Sequence, residues 1–95
     1  MNRLHLSASL AERAALRYTP AGLPALDLSL KHESQVSEDG QPRQVSMEMK
    51  AVAIGAITQP LLALQLGASG LFAGFVTSAR NKRGLLFHIT SVEPD

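Results

Sequence analysis

The chain has no cysteine and no tryptophan, and its aromatics are confined to Tyr18, Phe72, Phe75 and Phe87. Without cysteine there is no disulfide, no thiol chemistry and no cysteine-based zinc site. No run approaches the roughly 20 apolar residues of a membrane-spanning helix. The least polar stretch, from Ala51 to Phe75, is interrupted by Gly55, Thr58, Gln59, Pro60, Gln65 and Gly67. The N-terminus enters a strand pattern directly, without the apolar segment of a secretion signal, so a cytoplasmic soluble protein is expected. A Gly-rich phosphate loop and a Gly-x-Ser-x-Gly elbow are also missing. The acids show no pairing suited to acid–base work, and an enzyme is not expected. His5, His32 and His88 fall on separate predicted strands, which argues against a metal site; no cofactor is expected.

What is present is enough for one core. The 95 residues allow a single domain, and the apolar fraction of 45% is carried by Leu, Ala, Val and Ile. Net charge is only +1, but the charges are segregated. Every acid lies at or before Glu48 or in Glu93 and Asp95, whereas between Met49 and Val92 the only charges are Lys50, Arg80, Lys82 and Arg83.

The pattern is organised around residues 16–32. Pro20 and Gly22 suit a chain reversal. Leu26, Leu28 and Leu30 then alternate with Asp27, Ser29 and Lys31, the period of a half-buried strand. Leu4, Leu6, Ala8 and Leu10 alternate in the same way ahead of the turn. Strands are therefore expected over about 3–10 and 23–32, joined as a hairpin. Residues 33–42 have no apolar period and carry Glu38-Asp39-Gly40, so an exposed, mobile loop is expected there. A third strand over about 43–54 starts with Val45, Met47 and Met49 in alternation and ends apolar on both faces. Thr58 or Gln59 as cap, Pro60 in the first turn and Gly67 at the end mark a short helix. Strands over about 70–79 and 85–92 flank a basic hairpin loop, Arg80-Asn81-Lys82-Arg83-Gly84. An all-β domain of five strands with one short helix between the third and fourth is the plan of an OB-fold barrel. Periodicity alone leaves an SH3-like barrel or a plain antiparallel meander open.

Residues 2–7 (NRLHLS), 16–22 (LRYTPAG) and 26–30 (LDLSL) resemble the opening of bacterial single-stranded-DNA-binding proteins. Within that superfamily the chain is more similar to the primosomal replication protein N branch. The similarity rests on its short length, Leu30-Lys31-His32, Arg43-Gln44, Gly74-Phe75 and the stretch from His88 to Glu93. The resemblance implies a homodimer of OB-folds that binds single-stranded DNA and works with a primosomal restart helicase. Ser46 stands where the family pattern carries a Trp, and Glu33 where it carries a basic residue; the loop after the fourth strand is also shorter.

An OB-fold binds single strands by combining a positive groove with aromatic stacking. Arg80, Lys82 and Arg83, on a tip with no acid nearby, are the leading phosphate contacts. Arg17 and Lys50 extend that surface, and Arg43 joins them because it opens the third strand as the family does. Tyr18 offers either a stacking face for a base or a ring packed over the barrel mouth. Phe72, Phe75 and Phe87 read as core, although Phe72 and Phe75 face opposite ways on one strand, which leaves one of them able to reach a groove or a dimer interface. Met47 and Met49 read as core or interface, and His32 as an ordinary exposed histidine, with donation to a phosphate as the alternative. A second reading is a protein-interaction adaptor for the helicase, with weak or vestigial DNA binding, favoured by Ser46 and Glu33.

Overall fold

The alternating leucines do what their period requires. Leu6, Ala8 and Leu10 on one strand and Leu26, Leu28 and Leu30 on the next are all buried on one inner face. In the computed structural model, which describes residues 1–95, the elements run β1 (Leu4–Arg13), β2 (Arg17–Tyr18), β3 (Pro24–Glu38), β4 (Gln41–Ile54), α1 (Thr58–Ala63), β5 (Ser69–Ser78) and β6 (Leu85–Pro94). The sheet order is β1-β5-β6-β4-β3-β2, and β1 also pairs with β3, closing five long strands into a barrel. β2 is a two-residue addition on β3, with Arg17 opposite Ala25 and Tyr18 opposite Pro24. The expected OB-fold is the observed one, with α1 between the third and fourth long strands.

Closure depends on β1 serving two neighbours. Leu4 to Ser9 pair with β5, whereas Ser9 to Arg13 pair with β3. The register shifts between Leu10 and Glu12, and this bulge bends the strand from one partner to the other. It also carries β1 to Arg13, past the expected end at Leu10. The last gap is sealed by a short parallel contact, Ala51 with Phe87 and Val52 with His88. Inside, Phe72, Phe87, Leu10, Leu26 and Leu30 have no exposed surface, and Leu61 of α1 joins them.

The helix is seated by side chains rather than by its own caps. No side chain caps its N-terminus; Thr58 instead donates its hydroxyl to the Gly55 carbonyl at 2.7 Å and is fully buried. Gly67 does not end α1, which stops at Ala63 with Leu64 already extended. With φ +89° it belongs to the turn into β5, where its N–H donates to the Leu10 carbonyl at 2.7 Å. Arg13 closes the other end of the helix: its Nη1 donates to the Leu61 carbonyl at 3.1 Å and to the Leu64 carbonyl. Those carbonyls are among the last of a helix, which have no partner inside it.

The mobile loop expected over 33–42 is instead mostly strand. β3 and β4 pair without interruption from Ala25–Ile54 to Glu38–Gln41, leaving only Asp39 and Gly40 as the turn. Both have positive φ, 51° and 74°, as a two-residue hairpin turn of this kind demands. The polar sequence hid the strand because this ribbon runs beyond the barrel and has no core to face. Phe75 is the second correction. It lies outside the barrel, 39% exposed, and stacks on the His88 ring at 4.7 Å with 10° between planes. His32 is the third: its Nδ1 donates to the Ser7 carbonyl, and its Nε2 lies 2.8 Å from the Ser34 hydroxyl. The ring therefore tethers β3 to β1 where their ladder ends.

Two substitutions test these supports. At Gly74 an added Cβ would sit 1.8 Å from the His88 carbonyl oxygen, so Gly74→Ala must push β5 off β6. A loss of about 1–3 kcal/mol is expected, read as a lower urea midpoint. Arg13→Met keeps the aliphatic stem but not the donors to α1; the expected loss is about 1–3 kcal/mol by the same measurement.

Candidate nucleic-acid interface

The basic loop is a formed turn. Between β5 and β6 the Ala79 N–H donates to the Gly84 carbonyl at 3.1 Å, and the Lys82 N–H to the Ala79 carbonyl at 2.7 Å. Asn81 Oδ1 accepts from the Arg83 N–H at 2.8 Å, and Lys82 takes a left-handed φ of 59°. With the backbone bonded to itself, Arg80, Lys82 and Arg83 are all exposed. The ion pairs of the molecule are Arg17–Asp27 and Arg43–Glu38, so none of the three loop cations is neutralised.

Lys50 stands at the foot of this loop. It is exposed on the outer face of β4, opposite Ser29, and lines a groove together with Leu86, two residues beyond Gly84. The same groove is bordered by Asp27. Asp27 in turn holds Arg17, whose Nε and Nη2 donate to Oδ2 and Oδ1 at 2.7 and 3.0 Å. Arg17 is thus near the candidate surface but already partnered. The hydrogen bonds from Arg17, assisted by its charge and opposed by partial burial, hold the Asp27 carboxyl below its ordinary range. The same contact raises the Arg17 guanidinium. Sequence gave Asp27 an outward position but no partner, because the pair spans ten residues and a turn.

Tyr18 is 67% exposed, so its ring does not close the barrel mouth. It shares its end of the sheet with two other exposed apolar side chains, Leu23 and Ile54, the latter opposite Ala25. Arg43 is not brought to the groove. It lies on the projecting ribbon, bonded to Glu38 at 3.0 Å, and seven residues along the strand from Lys50, about 23 Å at 3.3 Å per residue. Its odd position also puts it on the face opposite Lys50. Ser46 and Glu33 are cross-strand partners, so both departures from the family pattern fall on one exposed spot of that ribbon.

A closed five-stranded barrel of this topology is the OB-fold, a class of proteins that bind oligonucleotides and oligosaccharides. The sequence matches a family described as another single-strand binding protein family over residues 2–91. Replication restart protein PriB of Bordetella pertussis is 49% identical over 80 residues, covering 84% of this chain and 75% of that protein. A solved structure of PriB from Ralstonia solanacearum has a TM-score of 0.89 at 36% identity, covering 99% of this chain and 97% of that one. The single-stranded DNA binding protein of Thermus aquaticus shares the fold alone, with a TM-score of 0.76 at 24% identity over 99% of this chain and 50% of its own. The chain belongs to the PriB family of replication restart proteins.

The Arg17–Asp27 pair has a definite pH signature. A carboxyl depressed in the folded state stabilises above its unfolded value, about pH 4, and that stabilisation is lost as pH falls through the folded value. Asp27→Asn should therefore cost stability at neutral pH and converge with the unsubstituted protein in acid. The neutral-pH difference is expected to be modest, since the two side chains are 51% and 49% exposed. Urea unfolding at neutral pH and again below about pH 4 measures it.

Proposed function

We propose that this protein binds single-stranded DNA as an accessory factor of the replication-restart primosome, through the loop Arg80–Gly84 and Lys50, and assists a restart helicase. The observation that carries this reading is that Arg80, Lys82 and Arg83 are exposed and carry no carboxylate partner, beside a groove on the outer face of an OB-fold. Tyr18 adds an exposed ring at the neighbouring edge, suited to stacking on a base. Membership of the PriB family supports the place in replication restart.

The homodimer belongs to the same proposal. Between Leu4 and Ala8, β1 has β5 on one side and no strand on the other, with only the His32 ring on the Ser7 carbonyl. An open strand edge invites a strand from a second copy. Sedimentation at micromolar concentration is expected to give the dimer mass; a monomer would remove this part of the proposal.

One observation favours the adaptor reading instead. On the ribbon, Glu33 lies opposite Ser46, so an acid and a small side chain occupy the spot where the family resemblance implies a stacking ring and a cation. An adaptor would bind helicase through the basic loop and free oligonucleotide hardly at all.

Fluorescence anisotropy of a labelled oligonucleotide at several salt concentrations separates the two. Single-strand binding should give a log–log salt slope of about −0.7 per phosphate neutralised. The combined Arg80→Ala, Lys82→Ala and Arg83→Ala variant should make that slope shallower by about 2. Flat anisotropy in low salt would leave the adaptor reading standing.

A further inference from the structure

Ser29 is 2% exposed, and its hydroxyl is the one buried side-chain polar atom without a hydrogen-bond partner. A buried hydroxyl left unmatched is destabilising, so its place needs a reason. Ser29 is not on the core face. It lies at the floor of the outer-face groove of about 360 Å³, a size within the range of small-ligand sites. Its lateral neighbours are Glu12 on β1 and Lys50 on β4. Cross-strand partners share a face, so carboxylate, hydroxyl and ammonium form one row across three strands, about 10 Å from end to end. Glu12 and Lys50 are exposed and neither is held in an ion pair, so both are free to turn toward a ligand. Ala14, Ala51 and Leu86 supply apolar walls.

We propose that this groove is a nucleobase subsite selective for a base with an exocyclic amino group. The inference rests on the single-strand reading above and assigns it a base-reading site. An amino-bearing base presents a donor edge beside an acceptor edge. Cytosine offers its N4 amino group to the Glu12 carboxylate and its ring acceptors to Lys50, and the Ser29 hydroxyl, enclosed in the free protein, joins them as those two side chains turn toward the base. Thymine has the O4 carbonyl where cytosine has the amino group, and that oxygen would face the carboxylate with no proton between them. The small apolar walls admit the flat ring, in place of the stacking platform that Ser46 does not provide.

The test is anisotropy with oligocytidylate and oligothymidylate deoxynucleotides of equal length, at mildly alkaline pH so that cytosine N3 stays unprotonated. The protein should bind the cytosine strand at least about fivefold more tightly. Glu12→Gln should abolish most of that preference, weakening the cytosine strand and strengthening the thymine strand, because the amide can donate to thymine O4. Ser29→Ala should reduce the preference without lowering the melting temperature of the free protein, because no protein contact is lost. The triple loop variant should weaken both strands yet keep their ratio. Equal binding of the two strands with the salt slope intact, or a preference that survives Glu12→Gln, would overturn the subsite and leave the single-strand reading in place. Binding of neither strand would overturn both. A lower melting temperature for Ser29→Ala would give its hydroxyl a structural role and remove it from the site.

Discussion

The whole molecule depends on β1 changing partners. A strand that pairs with β5 over one half and β3 over the other turns an open sheet into a barrel. The bulge at Leu10 and Glu12 makes the change of direction. The row of Glu12, Ser29 and Lys50 is placed by that closure. Beyond the bulge, Glu12 lies beside Ser29, and Arg13 reaches the carbonyls of α1. Before it, β1 keeps an edge uncovered. Had β1 stayed with one partner, Glu12, Ser29 and Lys50 would not form a row.

The near-neutral net charge conceals an uneven distribution of acids and bases along the chain. The ribbon from Lys31 to Glu48 carries Glu33, Glu38, Asp39 and Glu48 against Lys31 and Arg43. At the other end the loop cations Arg80, Lys82 and Arg83 have no carboxylate partner, although Glu12 and Asp27 share the groove of Lys50. Arg17 and Arg43 are each tied to a carboxylate, so counting basic residues overstates the positive surface.

Much of the fold was legible because the core uses a simple code. Leu26, Leu28 and Leu30 alternate without exception, and Pro20 with Gly22 announces the reversal. Residues 33–42 read as a loop for a physical reason: a ribbon with solvent on both sides has no apolar face, so strand periodicity vanishes even though the backbone ladder continues. The Asp39-Gly40 pair was the readable sign. At the candidate site the exposed loop cations were legible, since charge on a turn tip does not depend on tertiary contacts. The partners of Arg17, His32 and Arg13 were not, because each lies on another element brought close only by folding. Ser29 reads as an ordinary outward residue until Glu12 and Lys50 are seen to flank it.

The ribbon also has a consequence for how the chain reaches this structure. β3 and β4 are joined by a two-residue turn, so their ladder can zip outward from Asp39 and Gly40 in about 1–10 μs. The β1–β5 ladder must instead bring Leu4 to Gly74, across most of the sequence. That contact gains nothing until the entropy of closing the intervening chain has been overcome. Assembly is therefore two-speed: an early local hairpin serves as the template on which the remote strands later register, and the joining of the ends sets the folding time.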